Sequence, residues 1–417
     1  MKLLLYNFLI QIYGLSIRLA SLFNTKAKLF VAGRKNLFDD LSDTFKNHKT
    51  PIAWFHCASL GEFEQGRPVM EALKEQMPGY KILLTFFSPS GYEVRKNYQG
   101  ADFIYYLPLD TGRNARRFIQ ITQPGIAFFV KYEFWHNYIQ ELKKQRIPII
   151  SFSTIFRADQ LFFKPWGGFY RDILRNISHI FVQNDASLQL LKKINIKQAS
   201  IAGDTRFDRV WKICQQVNTI EKVADFKGDN KLMVIGSSWP EDMEVLVPII
   251  NKNKEVKFII APHEIRDSDI KSFENELQHP TIRFSSLNNG EGNRYQVLII
   301  DNVGMLSSLY QFGEFAYIGG GFGKGLHNIL EAATFGLPIF FGNKSYAKFQ
   351  EARDLIELQG AFAIADTSEL SVIFDKLYNQ PTVWSKTRAA NFDYIKQNVG
   401  ATQKILDHCQ NLLPDGR

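Results

Sequence analysis

A chain of 417 residues is too long for one compact core, and 45% hydrophobic with 22% charged residues excludes a disordered chain. The formal net charge of +8 favours anionic partners, but the basic residues fall in small groups (Arg113, Arg116, Arg117; Lys143, Lys144, Arg146; Lys192, Lys193) without a long block or nucleic-acid motif, so nucleic acid is set aside. Cys57, Cys214 and Cys409 are odd in number, widely spaced and lack a CxxC pair, which argues against a disulfide framework or a zinc site and for a reducing setting.

The first element covers residues 1–30. It begins MKLLLYNFLIQIYGLSIRLASLF, whose uncharged run 3–17 is shorter than the roughly 20 apolar residues that span a bilayer. The polar or small positions Asn7, Gln11, Gly14, Arg18 and Ser21 recur at steps of four and three, which draws one narrow polar stripe down an otherwise apolar helix. Lys26, Lys28, Arg34 and Lys35 follow, placed to meet anionic headgroups. A cleaved signal is set aside because Arg18 interrupts the apolar run and no A-x-A site follows. A buried soluble helix is the alternative; a membrane-associating helix accounts for the stripe and the basic flank together.

From residue 51 short apolar runs alternate with amphipathic stretches. Strands are expected over 52–56, 81–86, 103–106, 126–130, 148–152 and 179–183, with helices such as 66–76 and 135–144 between them. The pattern loosens over 206–230, and a second set follows at 232–235, 256–261, 295–300, 314–318 and 338–341. The expectation is α/β: a domain over 31–210, a second over 225–385 and a helical tail over 386–417. Ligands of such sheets sit beyond the carboxyl ends of the strands, so the expected active site is a cleft between two doubly wound domains.

Chemistry-bearing residues cluster just after those strands. In HCASLGEFEQG, 56–66, the small residues Ser59 and Gly61 make a close-approach loop and Glu62 opens the next helix. Glu62 either favours a helix N-terminus electrostatically or is a general base. Glu133, in KYEFWHN, follows the strand 126–130, and Asn137 lies on the same segment. Ser237 and Ser238 precede a helix start, Pro240-Glu241-Asp242, where serine hydroxyls hold a phosphate or merely cap; His263 stands at another strand end.

GGGFGKGLHNILE, 319–331, places Gly319, Gly320, Gly321 and Gly325 between a strand and a helix, as phosphate-binding loops do. It is neither the dinucleotide pattern, since 326 is Leu, nor a Walker loop, since Lys324 is followed by Gly325. His327 and Glu331, four apart, are expected on one helical face, with His327 reaching phosphate and Glu331 a ribose. A tight packing turn is the alternative. No metal constellation stands out.

In this order the segments resemble the 3-deoxy-D-manno-octulosonic acid (Kdo) transferases of lipopolysaccharide synthesis, over nearly the whole chain. The family's H-x-x-S-x-G-E matches His56, Ser59, Gly61 and Glu62; its E-x-W-x-N matches Glu133, Trp135 and Asn137; its G-S-x-K-F-D matches Gly203–Asp208 with Asp204 for Ser and Arg206 for Lys. The glycine loop and H-N-x-L-E match 319–325, His327, Asn328, Leu330 and Glu331. Departures lie in the donor half: Ser237-Ser238-Trp239 for Ser-Thr-His, Pro262-His263-Glu264 for Arg-His-Pro, and Lys324 for Arg in a shortened loop.

The resemblance implies a GT-B fold of two Rossmann-like domains facing across a cleft. It implies metal- and cofactor-free inverting transfer of Kdo from CMP-Kdo to a lipid A precursor (lipid IVA), at the cytoplasmic face of the inner membrane. Glu62 is then the base. Ser59, Gly61, Glu133, Asn137 and Arg206 fall to the acceptor side; Ser237, Ser238, His263, Gly320, Gly321, Lys324, Gly325, His327, Asn328 and Glu331 fall to the donor side. A GT-B enzyme using a UDP-sugar is the enzymatic alternative, and a membrane-attached nucleotide-sugar-binding protein the non-enzymatic one.

Overall fold

Strand sequences such as IAWFHC and IAFFV are apolar on both faces, which suits only a parallel sheet covered on both sides. The computed structural model, which describes residues 2–216, 219–410 and 412, shows two such sheets of seven strands. The chain divides into two compact units, Met1–Arg209 with Val399–Arg417, and Val210–Asn398. The fold is α/β of the GT-B type.

The first unit contains β1 (Ile52–Cys57), β2 (Lys81–Phe86), β3 (Phe103–Tyr106), β4 (Ile126–Val130), β5 (Ile149–Thr154), β6 (His179–Val182) and β7 (Ala199–Ile201), all parallel in the order β3-β2-β1-β4-β5-β6-β7. Alternate residues feed two cores. Trp54, Leu83 and Phe129 join one, with Phe118 and Tyr138; Phe55, Leu84 and Phe128 join the other, with Phe63, Met70 and the late residues Ile405 and Leu406. The second unit contains β8 (Lys231–Ser238), β9 (Val256–Pro262), β10 (Thr281–Arg283), β11 (Val297–Ile299), β12 (Phe315–Ile318), β13 (Ile339–Gly342) and β14 (Ala361–Ile364), in the order β10-β11-β9-β8-β12-β13-β14. In each sheet the chain starts at a central strand, builds outward, then crosses to its other flank. The switch points therefore lie between β1 and β4 and between β8 and β12, and ligands of open α/β sheets bind at such points.

The expected tail 386–417 is divided. The helix Pro381–Asn398 stays with the second unit, while Ala401–Gln410 returns to the first. Residues 411 and 413–417 of that tail, and Met1, lie outside the described residues. The return is fastened by Asp208, whose carboxylate accepts from the backbone N–H of Gly400 (2.5 Å) and Thr402 (2.7 Å) at the helix start.

The N-terminal segment forms α1 (Lys2–Ala20), α2 (Thr25–Ala32) and α3 (Leu37–Phe45). The buried-helix alternative is overturned, because Gly14 is the one buried residue of α1 and Leu4, Phe8, Leu9, Leu15 and Leu19 are exposed. Part of the polar stripe is the docking face. Asn7 Oδ1 accepts from Asn137 Nδ2 at 3.0 Å, Tyr6 donates to Asp110 at 2.5 Å, and a Cβ on Gly14 would lie 2.6 Å from Leu109. Arg34 also departs from expectation. It turns inward beneath the rings of Phe30 (3.6 Å), Tyr106 (4.6 Å) and Phe87 (5.3 Å) and donates to the carbonyls of Phe30, Phe87 and Leu107. An arginine with that many acceptors and aromatic faces loses less by burial than a lysine would.

Candidate active site

At the first switch point, β1 runs into α4 (Leu60–Gln76) with Ser59 at the N-cap position. The Ser59–Glu62 spacing is that of a capping box, yet Ser59 makes no side-chain cap bond; its hydroxyl donates to Glu62 Oε2 instead. Glu62 sits half-buried in the first turn, beyond the carboxyl end of β1.

Across the switch point, after β4, Glu133 is fixed by two donors. Trp135 Nε1 donates to its Oε2 at 2.7 Å and His56 Nε2 lies 3.2 Å from the same oxygen. His56 is fully buried, with Nδ1 2.9 Å from Thr85 Oγ1, which in turn accepts from Trp54 Nε1 at 2.8 Å. One proton arrangement closes the chain: indole to hydroxyl, hydroxyl to Nδ1, and Nε2–H to Glu133. Burial first, then the negative charges of Glu62 and Glu133, pushes the neighbouring Cys57 thiol well up, so both carboxylates bear on one point at the end of β1. His56 and Trp135 were visible only as motif positions; their work is to hold a carboxylate.

Asn137 is placed elsewhere. Its Nδ2 donates to the Asp110 carbonyl (2.6 Å) and to Asn7, and its N–H to Asp110 Oδ2 (3.1 Å), so it bolts α1 to the segment 133–137. Burial raises the Asp110 pKa to about 6 despite these donors. The same segment meets α1 through rings: Tyr13 stacks on Phe87 (6.1 Å) and Phe87 on Trp135 (4.8 Å). Arg206 forks onto Asp204 Oδ2 through Nε (2.9 Å) and Nη2 (2.7 Å). Gly61 is exposed and nothing but the Ser59 hydroxyl lies near its Cβ position.

At the second switch point β8 ends in a bulge at Ser237, held at φ 54°, and Ser238 is buried with its hydroxyl unbonded. Trp239 follows, and its Nε1 donates to His327 Nε2 at 3.1 Å. His263 completes a stack, 4.5 Å from the Trp239 ring and 4.4 Å from that of His327. Burial, with the neighbouring His263, lowers the His327 pKa to about 4, so this imidazole is neutral at physiological pH. The exposed Lys324 holds its ammonium 5.5 Å from the Trp239 ring, beside a cavity of about 170 Å³ that Ser238, Glu264 and Arg266 also line.

The glycines are packing residues as well as a loop. An added Cβ would meet the Ser237 oxygen at 2.1 Å from Gly319, the Gly325 oxygen at 2.3 Å from Gly320, and the Gly342 oxygen at 2.4 Å from Gly321. Several N–H groups expected to cradle phosphate are engaged: Gly323 and Gly325 donate to the Gly320 carbonyl, and Gly320 to Asp242 Oδ2 at 2.9 Å. Buried Asp242 also accepts from Trp239 N–H and Tyr317 OH, both at 2.9 Å, and burial raises its pKa. Sequence reasoning treated Asp242 as an ordinary helix-start acid.

The expected helix through His327 does not form. The helix is Leu330–Thr334, because Gly325 at φ 113° redirects the chain and Asn328 Oδ1 accepts from Leu330 N–H in a local turn. His327 and Glu331 therefore do not share a helical face. Glu331 accepts from Ser307 (2.7 Å) and from Asn328 Nδ2 (3.1 Å).

Residues 34–209, the first unit's sheet with its site, match the family described as 3-deoxy-D-manno-octulosonic-acid transferase (kdotransferase). The 3-deoxy-D-manno-octulosonic acid transferase of Aquifex aeolicus is 27% identical over 336 residues, covering 79% of this chain and 86% of its own length. That of Rickettsia prowazekii is 27% identical over 377 residues, covering 87% of this chain and 79% of its own. The first unit matches the Kdo transferase family, and most of the chain is similar to these transferases. Among solved structures, UDP-GlcNAc 2-epimerase from Neisseria meningitidis bound to UDP-GlcNAc superposes with a TM-score of 0.62 at 16% identity, over 86% of this chain and 99% of that one, a likeness of fold.

Two departures from the Kdo transferase pattern now have a physical account. Asp204 and Arg206 replace Ser and Lys together and pair with each other. Trp239 replaces a histidine and supplies the indole N–H that His327 accepts. Lys324 in place of Arg has no such explanation in its surroundings.

Proposed function

We propose that the protein transfers Kdo from CMP-Kdo to lipid IVA at the cytoplasmic face of the inner membrane, with inversion and without a metal. The observation that carries this reading is the segment 133–137. Its Glu133 is locked by His56 and Trp135, and its Asn137 bolts down a helix whose outer face is apolar. A carboxylate pair is thereby tied to an element suited to lying on a bilayer.

Glu62 takes the proton of an acceptor hydroxyl, whose oxygen bonds to the anomeric carbon of Kdo as the bond to the CMP phosphate breaks. Ser59 and Glu133 hold this carboxylate and the acceptor in place. On the donor side Lys324 balances charge on the departing phosphate, the Trp239–His263–His327 stack offers flat faces, and Glu331 with Asn328 meets the ribose. Gly320, Gly321 and Gly325 serve by shaping the loop. Arg206 acts through its pair with Asp204, and Ser237 and Ser238 close the phosphate end.

The test is mass spectrometry of lipid IVA after incubation with CMP-Kdo and the full chain. Addition of Kdo by the wild type and none by Glu62→Gln, with CMP-Kdo still bound by calorimetry, is the expected result. Undiminished product from Glu62→Gln sinks the base assignment, and preference for a UDP-sugar sinks the donor assignment.

A further inference from the structure

Beside α1 lies a cavity of about 410 Å³, formed with α2, the start of α3 and the 108–114 segment. That size is within the range of small-ligand pockets. Its walls divide by chemistry. Ile17, Phe30 and Leu109 make an apolar floor, while Arg18, Arg34 and Lys35 bring three cations to it and no acidic residue lines it.

None of the three has a carboxylate partner among the described residues. Arg18 and Lys35 are exposed and make no ion pair, and Arg34 is satisfied by carbonyls and rings alone. The nearby acids are engaged or turned away: Asp110 faces Tyr6, Asn137 and Tyr138, and Asp39 lies 3.6 Å from Arg117. Burial brings the Arg34 pKa down to about 10, which still leaves it charged at neutral pH. Gathered cations over an apolar floor, against a helix that also carries the exposed Leu15 and Leu19, are complementary to an amphiphile with an anionic head.

We propose that this cavity binds one anionic phospholipid of the bilayer, its phosphate between Arg18, Arg34 and Lys35 and the start of one acyl chain along Ile17, Phe30 and Leu109. This rests on the membrane-surface reading above and deepens it, because the site makes the attachment selective for headgroup charge. A bound lipid also wedges α1 against the 108–114 segment, which carries Asp110 and through it the segment 133–137.

The test uses the full chain in dodecyl maltoside, incubated with phosphatidylglycerol or phosphatidylcholine and weighed by native mass spectrometry. One phosphatidylglycerol is retained per chain, at least about tenfold over phosphatidylcholine, and the preference is lost in the Arg18→Gln/Lys35→Gln double variant. Both side chains are exposed, so the variant keeps its fold, which thermal unfolding checks. Ala32→Phe, which fills the cavity from its rim, removes retention without changing charge. Equal retention of the two lipids, or a double variant that behaves as wild type, overturns the proposal. Displacement of phosphatidylglycerol one for one by lipid IVA also overturns it and gives the cavity to the acceptor. Failure of the full chain to float with vesicles of mixed phosphatidylcholine and phosphatidylglycerol sinks the membrane reading, while retention in micelles is scored independently.

Discussion

The two switch points occupy equivalent places in their sheets and are built from different materials. Between β1 and β4 the links are side chain to side chain, from Trp54 through Thr85 and His56 to Glu133, with Ser59 on Glu62. Between β8 and β12 the links are largely backbone: Asp242 holds the glycine loop by an N–H, and the glycines let chain pass close to chain. A site proposed to fix a proton and a charge needs polar side chains in defined states. A site proposed to fit a nucleotide's outline needs backbone held in shape, with aromatic faces and one exposed cation. The difference teaches that position in a fold says where a ligand goes, and the type of link says what is done to it.

Five substitutions test that division, the largest effect first. Glu62→Gln should lower kcat by about 10²–10⁴-fold with unchanged CMP-Kdo affinity and melting temperature, measured by turnover, calorimetry and thermal unfolding. Loss of donor affinity instead would merge the two roles. Asp242→Ala leaves three donors, Gly320 N–H, Trp239 N–H and Tyr317 OH, without their acceptor, and should cost about 3 kcal/mol in urea unfolding of the second unit. A variant as stable as wild type would show the latch to be idle.

The third concerns pH. His327 has a pKa of about 4 when folded against the ordinary 6.5, so the unfolded chain takes up a proton first as pH falls. Its contribution is complete above 6.5 and is lost as pH drops toward 4. We expect about 2 kcal/mol across that window, less than the full shift implies because the ring keeps some solvent contact. His327→Gln should flatten this part of the curve, and parallel curves for the two proteins would remove the neutral imidazole from the account. The smallest effects separate glycines within one loop. Gly320→Ala, at φ 86° and against the Gly325 oxygen, should cost about 2 kcal/mol; Gly323→Ala, with nothing within 4 Å, should stay within about 0.5 kcal/mol. Chemical denaturation measures both, and equal costs would mean the loop is not held as described.

Central strands were legible in the sequence because burial on both faces demands unbroken apolar runs. β7, β10 and β14 went unseen, and all three are sheet edges. An edge strand is short and partly wet: Ala199–Ile201 has no buried residue, so its sequence carries no run to find. The site shows the same limit. Glu62, Glu133 and the glycine loop stood out because motifs mark them. Asp242 did not, since an acid in a first turn is ordinary until Gly320 arrives from 78 residues away. His327 was misplaced for a local reason: periodicity reads a helix through it and cannot see an Asn328 side chain turning the chain before Leu330. The stripe on α1 was read correctly as a stripe, but whether it meets water or protein depends on Asn137 and Leu109, which periodicity does not reach.

Asp208 fastening the last helix to the first unit has a consequence for synthesis on the ribosome. Ile405, Leu406 and Cys409 are part of the core around β1 and β4, yet they follow the whole of the second unit in the chain. The second unit, continuous from Val210 to Asn398, is complete before the first is. A nascent chain stalled near residue 398 would therefore carry a finished second unit and an open seam in the first, exposing apolar β-sheet. A stop codon before Ile405 damages the half of the protein that was begun first.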